Sequence, residues 1–174
     1  MRVVALLRGV NVGGSNRLKM ADLRAAVESL GLTDVETYLQ SGNVVFTAPR
    51  SRSELGEAIS ARLRETCGID VRVLTRTGAE MASIVAANPY QRDDPTKVVV
   101  VFLPDAGAPP DLDLDAFAPE GLTIHGRELY LDLPFGQGRS RLAAALAKLD
   151  DGASTTRNWR TVLALSEMSA SSAD

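Results

Sequence analysis

Cysteine and histidine are nearly missing: among 174 residues, Cys67 and His125 each stand alone. A single cysteine excludes an intrachain disulfide framework and a CxxC redox pair, and one Cys with one His cannot build a zinc cluster. No metal site is expected, since the run DLDLD (111–115) also lacks the glycine and terminal Glu of a calcium loop. Hydrolysis by a serine or cysteine nucleophile with a histidine base would have to run through His125. Aromatics make up only 5% of the chain, and Tyr38, Phe46 and Phe102 are scattered where an RNA-binding sheet would cluster them. With a net charge of −3, nucleic acid is the disfavoured partner. No stretch approaches the roughly 18 apolar residues of a membrane span, so no membrane partner is expected. The opening MRVVALLRGV is interrupted by Arg8 and lacks the organisation of a signal peptide. A cytoplasmic protein is the expectation, in keeping with the unpaired Cys67.

What is present is ordinary for a globular chain: 45% apolar and 24% charged residues. The length corresponds to about one domain, able to bury about 70% of its unfolded surface. Charge is unevenly placed. Residues 1–20 hold Arg2, Arg8, Arg17 and Lys19 and no acid, whereas 93–120 hold six Asp and Glu120 against Lys97. Residues 138–160 are basic again, with five cations against Asp150 and Asp151. Sixteen of the nineteen basic residues are Arg, which suits bidentate contacts with phosphate or carboxylate; solvated surface charge is the plainer reading.

The order of elements follows from periodicity. VVALLRGV (3–10) reads as a buried strand, and Met20, Leu23, Val27 and Leu30 place a helix over 20–31 stopped by Gly31. ETYLQ (36–40) and NVVFT (43–47) read as a hairpin turning through Ser41-Gly42. Ser51 or Ser53 precedes a helix carrying Leu55, Ile59 and Leu63 to about Cys67, and IDVRVLT (69–75) alternates as a strand. This is the βαββαβ order of a ferredoxin-like half. A helix over 77–87, a buried strand KVVVVFLP (97–104), a hairpin through Gly126-Arg127 and helices over 139–149 and 157–168 follow. The expected architecture is α+β: a ferredoxin-like half (1–76), then a related but incomplete βαββα half plus a C-terminal helix (77–174), packed into one compact unit.

Three segments combine backbone-permissive residues with hydrogen-bonding ones: RGVNVGGSNRLK (8–19), YLQSGN (38–43) and STTRNW (154–159). Free N–H groups at a helix start beside Arg or Lys make an anion site, and the first segment stands between a strand and a helix. Gly9-x-x-x-x-Gly14 resembles a phosphate loop but is followed by Ser15-Asn16, which misplaces the Lys and hydroxyl that bind phosphate and magnesium. In STTRNW a hydroxyl from 154–156 is expected to cap the last helix, with Arg157 and Asn158 as further donors. GQGRSRL (136–142) is a similar helix start, readable as loop or as phosphate contact. Asp22 and Glu36 are the acids nearest these motifs in sequence, and both read as surface charges.

The blocks LLRGVNVGGSNRLKMADLR, YLQSGNVVF, NPY, LPFGQGRSRL and TTRNWRTV resemble, in order, those of the bacterial domain-of-unknown-function 1697 family. The matching positions are Arg8, Gly9, Asn11, Gly13, Gly14, Lys19 and Met20, then Gln40, Ser41, Gly42 and Asn43, then Thr156, Arg157, Asn158 and Trp159. Arg141 stands where relatives often carry Lys. The resemblance implies an architecture and a list of residues, with no activity attached. The expected function is binding of a small anionic ligand, bearing phosphate or carboxylate, by Arg8, Asn11, Gly13, Gly14, Lys19, Ser41, Asn43, Thr156, Arg157 and Asn158. A nucleic-acid module and a group-transfer enzyme using the same pocket are the alternatives. Arg, Asn, Ser and Thr orient and stabilise charge without supplying a ready base, and no cofactor is implied.

Overall fold

Val3–Leu7 is an unbroken apolar run, and it becomes the inner strand β1 (Arg2–Leu7), buried at every position after Arg2. The computed structural model describes residues 1–49, 54–106 and 110–170. Strands β2 (Thr33–Tyr38), β3 (Asn43–Thr47) and β4 (Val73–Thr77) complete a sheet of order β2-β3-β1-β4, antiparallel throughout. Helices α1 (Met20–Glu28) and α2 (Leu55–Cys67) make the two crossovers. This is the ferredoxin-like half that the element order implied. Leu23 and Val27 of α1 and Ile59 and Leu63 of α2 share one core with Val3, Ala5, Leu7, Val44 and Phe46. Each fully buried side chain of this size contributes about 1.5–3 kcal/mol. Ser51 and Ser53 lie outside the described residues; α2 opens at Leu55, after Glu54 in a left-handed conformation (φ 58°). β4 starts at Val73, later than the alternation in 69–75 implied, because β1 ends opposite it, at Leu7.

The chain continues through α3 (Gly78–Ala87), β5 (Val98–Phe102), a short 3-10 turn (Leu114–Phe117), β6 (Gly121–His125), β7 (Glu128–Asp132) and α4 (Arg141–Leu149). The Gly126-Arg127 turn joins β6 to β7 with His125 opposite Glu128, the two-residue hairpin expected. One expectation needs correction. Residues 155–158 are not the start of the last helix but a strand, β8 (Thr155–Asn158), paired with β5; α5 (Trp159–Ser169) begins only afterwards. The second half is therefore complete in strands, and its order β6-β7-β5-β8 repeats the first sheet position for position. Pairing with Val99–Phe102, more than fifty residues away in sequence, outweighs the local helical signal of 157–168.

The two halves also repeat in detail. Arg76 stands opposite Val4 on β4, and Arg157 opposite Val100 on β8; both arginines are buried. A helix follows each after one further residue, and that residue is the cap. Thr77 and Glu80 form a reciprocal capping box on α3, with Glu80 N–H donating to Thr77 Oγ1 at 3.2 Å and Thr77 N–H to Glu80 Oε2 at 2.7 Å. Asn158 Oδ1 accepts from Thr161 N–H at 3.0 Å on α5. The chain divides into two compact units, Met1–Ala82 with the residues from Leu165 on, and Ser83–Ala164, so the division falls inside α3 and α5. No helix among the described residues is long and apolar enough to cross a membrane.

Candidate functional site

In the first unit, residues 8–19 and 38–43 meet at one end of the sheet, and Asn11 joins them. Its Nδ2 donates to the Gln40 carbonyl at 2.7 Å and to the Leu18 carbonyl at 2.9 Å, while its Oδ1 accepts from Leu18 N–H at 2.9 Å. Asparagine also tolerates the left-handed backbone found here (φ 56°). Between the arms of this clamp the chain makes a small hairpin: Asn11 N–H donates to Asn16 O at 3.1 Å and Ser15 N–H to Val12 O at 3.3 Å. Gly13 and Gly14 are its tip, both at positive φ (61° and 81°), the pair of values that a two-residue I′ turn demands. The glycines thus shape a hairpin six residues ahead of α1 rather than the start of that helix. Among the described residues their N–H groups make no internal hydrogen bond, and both residues are exposed.

The turn at 38–43 is longer than Ser41-Gly42 implied. Strand pairing ends at Tyr38 opposite Asn43, leaving a four-residue loop. Asn43, wholly buried, holds that loop by donating from Nδ2 to Tyr38 O at 2.9 Å and Ser41 Oγ at 3.0 Å. Gly42 has φ 79°, and a side chain there would place Cβ 2.8 Å from Leu7 Cβ, so only glycine lets the loop close on β1. The Gly42 carbonyl accepts from Leu7 N–H at 2.9 Å.

Three cations are sequence neighbours of residues in this clamp. Arg8, half-buried, precedes Gly9, whose carbonyl accepts from Asn16 Nδ2 at 3.5 Å; its own N–H donates to Arg72 O at 2.9 Å. Arg17 follows Asn16 and Lys19 follows Leu18; both are exposed, with no side-chain hydrogen bond or ion pair among the described residues. Arg17 is not among the ligand-binding residues named from the sequence, although it lies in the 8–19 segment and in the acid-free basic stretch. Arg17 and Leu18 also border a cavity of about 370 Å³ whose other lining residues belong to α1, α2 and Ser29, with Asp22 and Arg62 among them. Glu36 is engaged by Arg2 at 3.0 Å.

Thr156, Arg157 and Asn158 lie in the second unit, on β8. Arg157 donates from Nη1 to Thr155 Oγ1 and to Thr156 O, each at 2.8 Å. Desolvation draws its pKa down to about 10, so it stays cationic at neutral pH. Asn158 is the α5 cap. In GQGRSRL, Ser140 caps α4 through Ala143 N–H (2.8 Å) and donates to the Glu120 carboxylate. Arg141 donates to Ala116 O at 2.8 Å, its guanidinium 5.8 Å from the Phe117 ring centre. His125 ends β6, exposed. Among the described residues no group of three or more His, Cys, Asp or Glu comes together.

The family described as protein of unknown function, DUF1697, matches residues 1–130, three quarters of the chain including both clamped loops. The chain belongs to that family. A solved structure, that of the conserved bacterial protein SP0830 from Streptococcus pneumoniae, is similar to this DUF1697 chain with a TM-score of 0.73 and 25% identity. The likeness covers 97% of this chain and 98% of that one, so it extends through TTRNW, beyond the residues the family match spans. No curated protein matches the chain.

Proposed function

We propose that this DUF1697 protein binds a small anionic ligand, bearing phosphate, at the clamped loop of its first unit. The observation that carries the reading is the clamp itself. Asn11 commits its whole amide to holding an exposed glycine hairpin against the 38–43 turn, and three cations each stand one residue from an atom of that bracing. A loop braced in advance loses less entropy on binding. Two exposed glycine N–H groups, with the cations Arg8, Arg17 and Lys19 in the same 8–19 segment, offer the donors and charge that phosphate takes. Within this reading Ser41 and Asn43 support the loop from below, and the buried Arg157 serves its own sheet.

The test is thermal unfolding with nucleotides, sugar phosphates and acyl phosphates. A ligand at about 100 times its Kd stabilises by about 2.7 kcal/mol, and that moves Tm by roughly 5–10 °C in a chain of this size. The shift is expected to fall in Arg8→Ala and in the exposed Arg17→Ala and Lys19→Ala variants, and to weaken with added salt. No shift across the panel, or shifts undiminished in all three variants, would sink the reading.

A further inference from the structure

β2 and β6 hold the same place in the two sheets, the outer edge beside β3 and beside β7. Edge strands expose unpaired backbone groups, and proteins block them with bulges, charges and proline. β2 is blocked. Its register with β3 breaks between Thr33 and Glu36, Asp34 is left-handed there (φ 51°), and Arg2 Nη1 donates to the Asp34 carbonyl at 2.8 Å. Asp34 and Glu36 add two exposed carboxylates. β6 has none of these devices. Gly121–His125 pairs with β7 without a shift in register, contains no Asp, Glu, Lys, Arg or Pro, and is half-buried or exposed throughout. Tyr90 of the NPY motif holds the strand: its hydroxyl lies 2.9 Å from Thr123 Oγ1, and a Cβ on Gly121 would meet that hydroxyl at 3.0 Å.

The direction of the backbone groups follows from β7. Leu103 N–H donates to Arg127 O at 2.9 Å and Leu133 N–H to Lys97 O at 2.8 Å. Odd-numbered residues of this stretch therefore turn their N–H and C=O towards β5, and even-numbered ones towards β6. Gly121, Thr123 and His125 answer Asp132, Tyr130 and Glu128. Leu122 and Ile124 point their N–H and C=O the other way, out of the sheet, and among the described residues those groups make no hydrogen bond.

We infer that β6 pairs antiparallel with β6 of a second copy of this chain, joining the two β6-β7-β5-β8 sheets edge to edge. The strand is its own complement. A two-fold axis at Thr123 sets Leu122 opposite Ile124 of the second copy, and Ile124 opposite Leu122 of the second copy. Each of these pairs exchanges both hydrogen bonds, so every outward group of the two residues is satisfied. Thr123 then meets Thr123 of the second copy in the closer, non-hydrogen-bonded pair, and threonine pairs and apolar pairs are favourable across strands. Charge selects the antiparallel sense. Glu120 precedes the strand and Arg127 follows it, so opposed strands bring acid towards base at both ends, whereas parallel strands set like beside like. Such a contact is isologous and closes at two copies. Any extended strand can add to an open edge; donors, side chains and end charges here all match this strand itself.

The experiment is sedimentation equilibrium of the full chain over a concentration series, with residue-resolved amide exchange at its two ends. A dimer is expected to form in about the micromolar to millimolar range, since the interface is small. Exchange at Leu122 and Ile124 is expected to slow at least about tenfold as the dimer forms, while Thr123 and His125, bonded to β7 in either state, do not change. Ile124→Pro removes an outward N–H and none of the bonds to β7, and is expected to be monomeric, with an unfolding curve confirming that it is folded. Leu122→Pro serves the same purpose if that variant unfolds, and the exchange pattern of the unaltered chain needs neither. A monomer at every concentration would overturn the pairing and leave the edge to a strand of another protein. A dimer in which Leu122 and Ile124 exchange as fast as in the monomer, or one that persists in the folded proline variant, would place the contact elsewhere and overturn it too. Protection of both amides in the dilute monomer would also overturn it, by showing that the chain closes its own edge.

Discussion

Asn11 shows how much one side chain decides at this site. Three hydrogen bonds converge on its amide, and it occupies a backbone region that alanine resists. Because the residue is exposed, water replaces part of what is lost, so Asn11→Ala is expected to cost about 1–3 kcal/mol in urea unfolding. Asn11→Gly, which keeps the backbone conformation but not the bonds, should cost less. Tyr130 makes a different residue-scale prediction. It is fully buried, donates to Ile84 O at 2.9 Å, and burial with the neighbouring Glu128 carboxylate pushes its pKa up to about 12. An acid whose folded pKa is raised favours its neutral form. Its contribution is therefore complete below pH 10 and is lost as pH rises from 10 through 12. Stability measured across that window should decline, and less steeply in Tyr130→Phe.

At the scale of elements, the two strand-to-helix joints are copies of one device: a buried arginine, then a capping residue, then a helix. Asn158→Ala and Thr77→Ala should each cost about 1 kcal/mol, read as a drop of roughly 2–4 °C in Tm. The same joint is only half legible in the sequence. Thr-Arg-Asn can be read as a helix start, and the hydroxyls of 154–156 were natural cap candidates; β8 pairing shifts the cap to Asn158. The 38–43 turn is likewise legible in place but not in length: pairing stops at Tyr38 opposite Asn43, whose Nδ2 donates to Tyr38 O, so the loop holds four residues rather than two. Gly42→Ala tests that loop: with positive φ and Leu7 Cβ in the way, it should destabilise the first unit and reduce exchange protection at Leu7 N–H.

For the whole molecule, the chain returns to its first unit at the end. Arg2 Nη2 donates to Met168 O at 3.1 Å, Leu165 is fully buried, and a Cβ on Gly78 would collide with the Ser169 carbonyl. Ending the chain after Ala164 removes these partners. Hydrogen exchange should then show protection falling in β1 to β4 before β5 to β8. Gly78→Ala should reproduce part of that loss without shortening the chain.

The apolar periodicity of this sequence determined by itself the α+β class, the first ferredoxin-like half and the positions of α1, α2, β5 and the β6–β7 hairpin. Those elements are specified by local spacing, which survives without knowledge of any distant partner. The polar motifs were legible as a list but not as roles. A glycine pair reads alike whether it cradles an anion or turns a hairpin, and an asparagine reads alike as ligand contact, clamp or cap. Tertiary structure alone decided that Gly13 and Gly14 form a hairpin tip, that Asn11 spans two loops, that Asn43 is buried and that Thr155–Asn158 is a strand. The physical reason is the same for all four. Each role depends on a hydrogen bond or a strand pairing whose partner, whether three residues or more than fifty away, is selected by three-dimensional closure and leaves no trace in spacing.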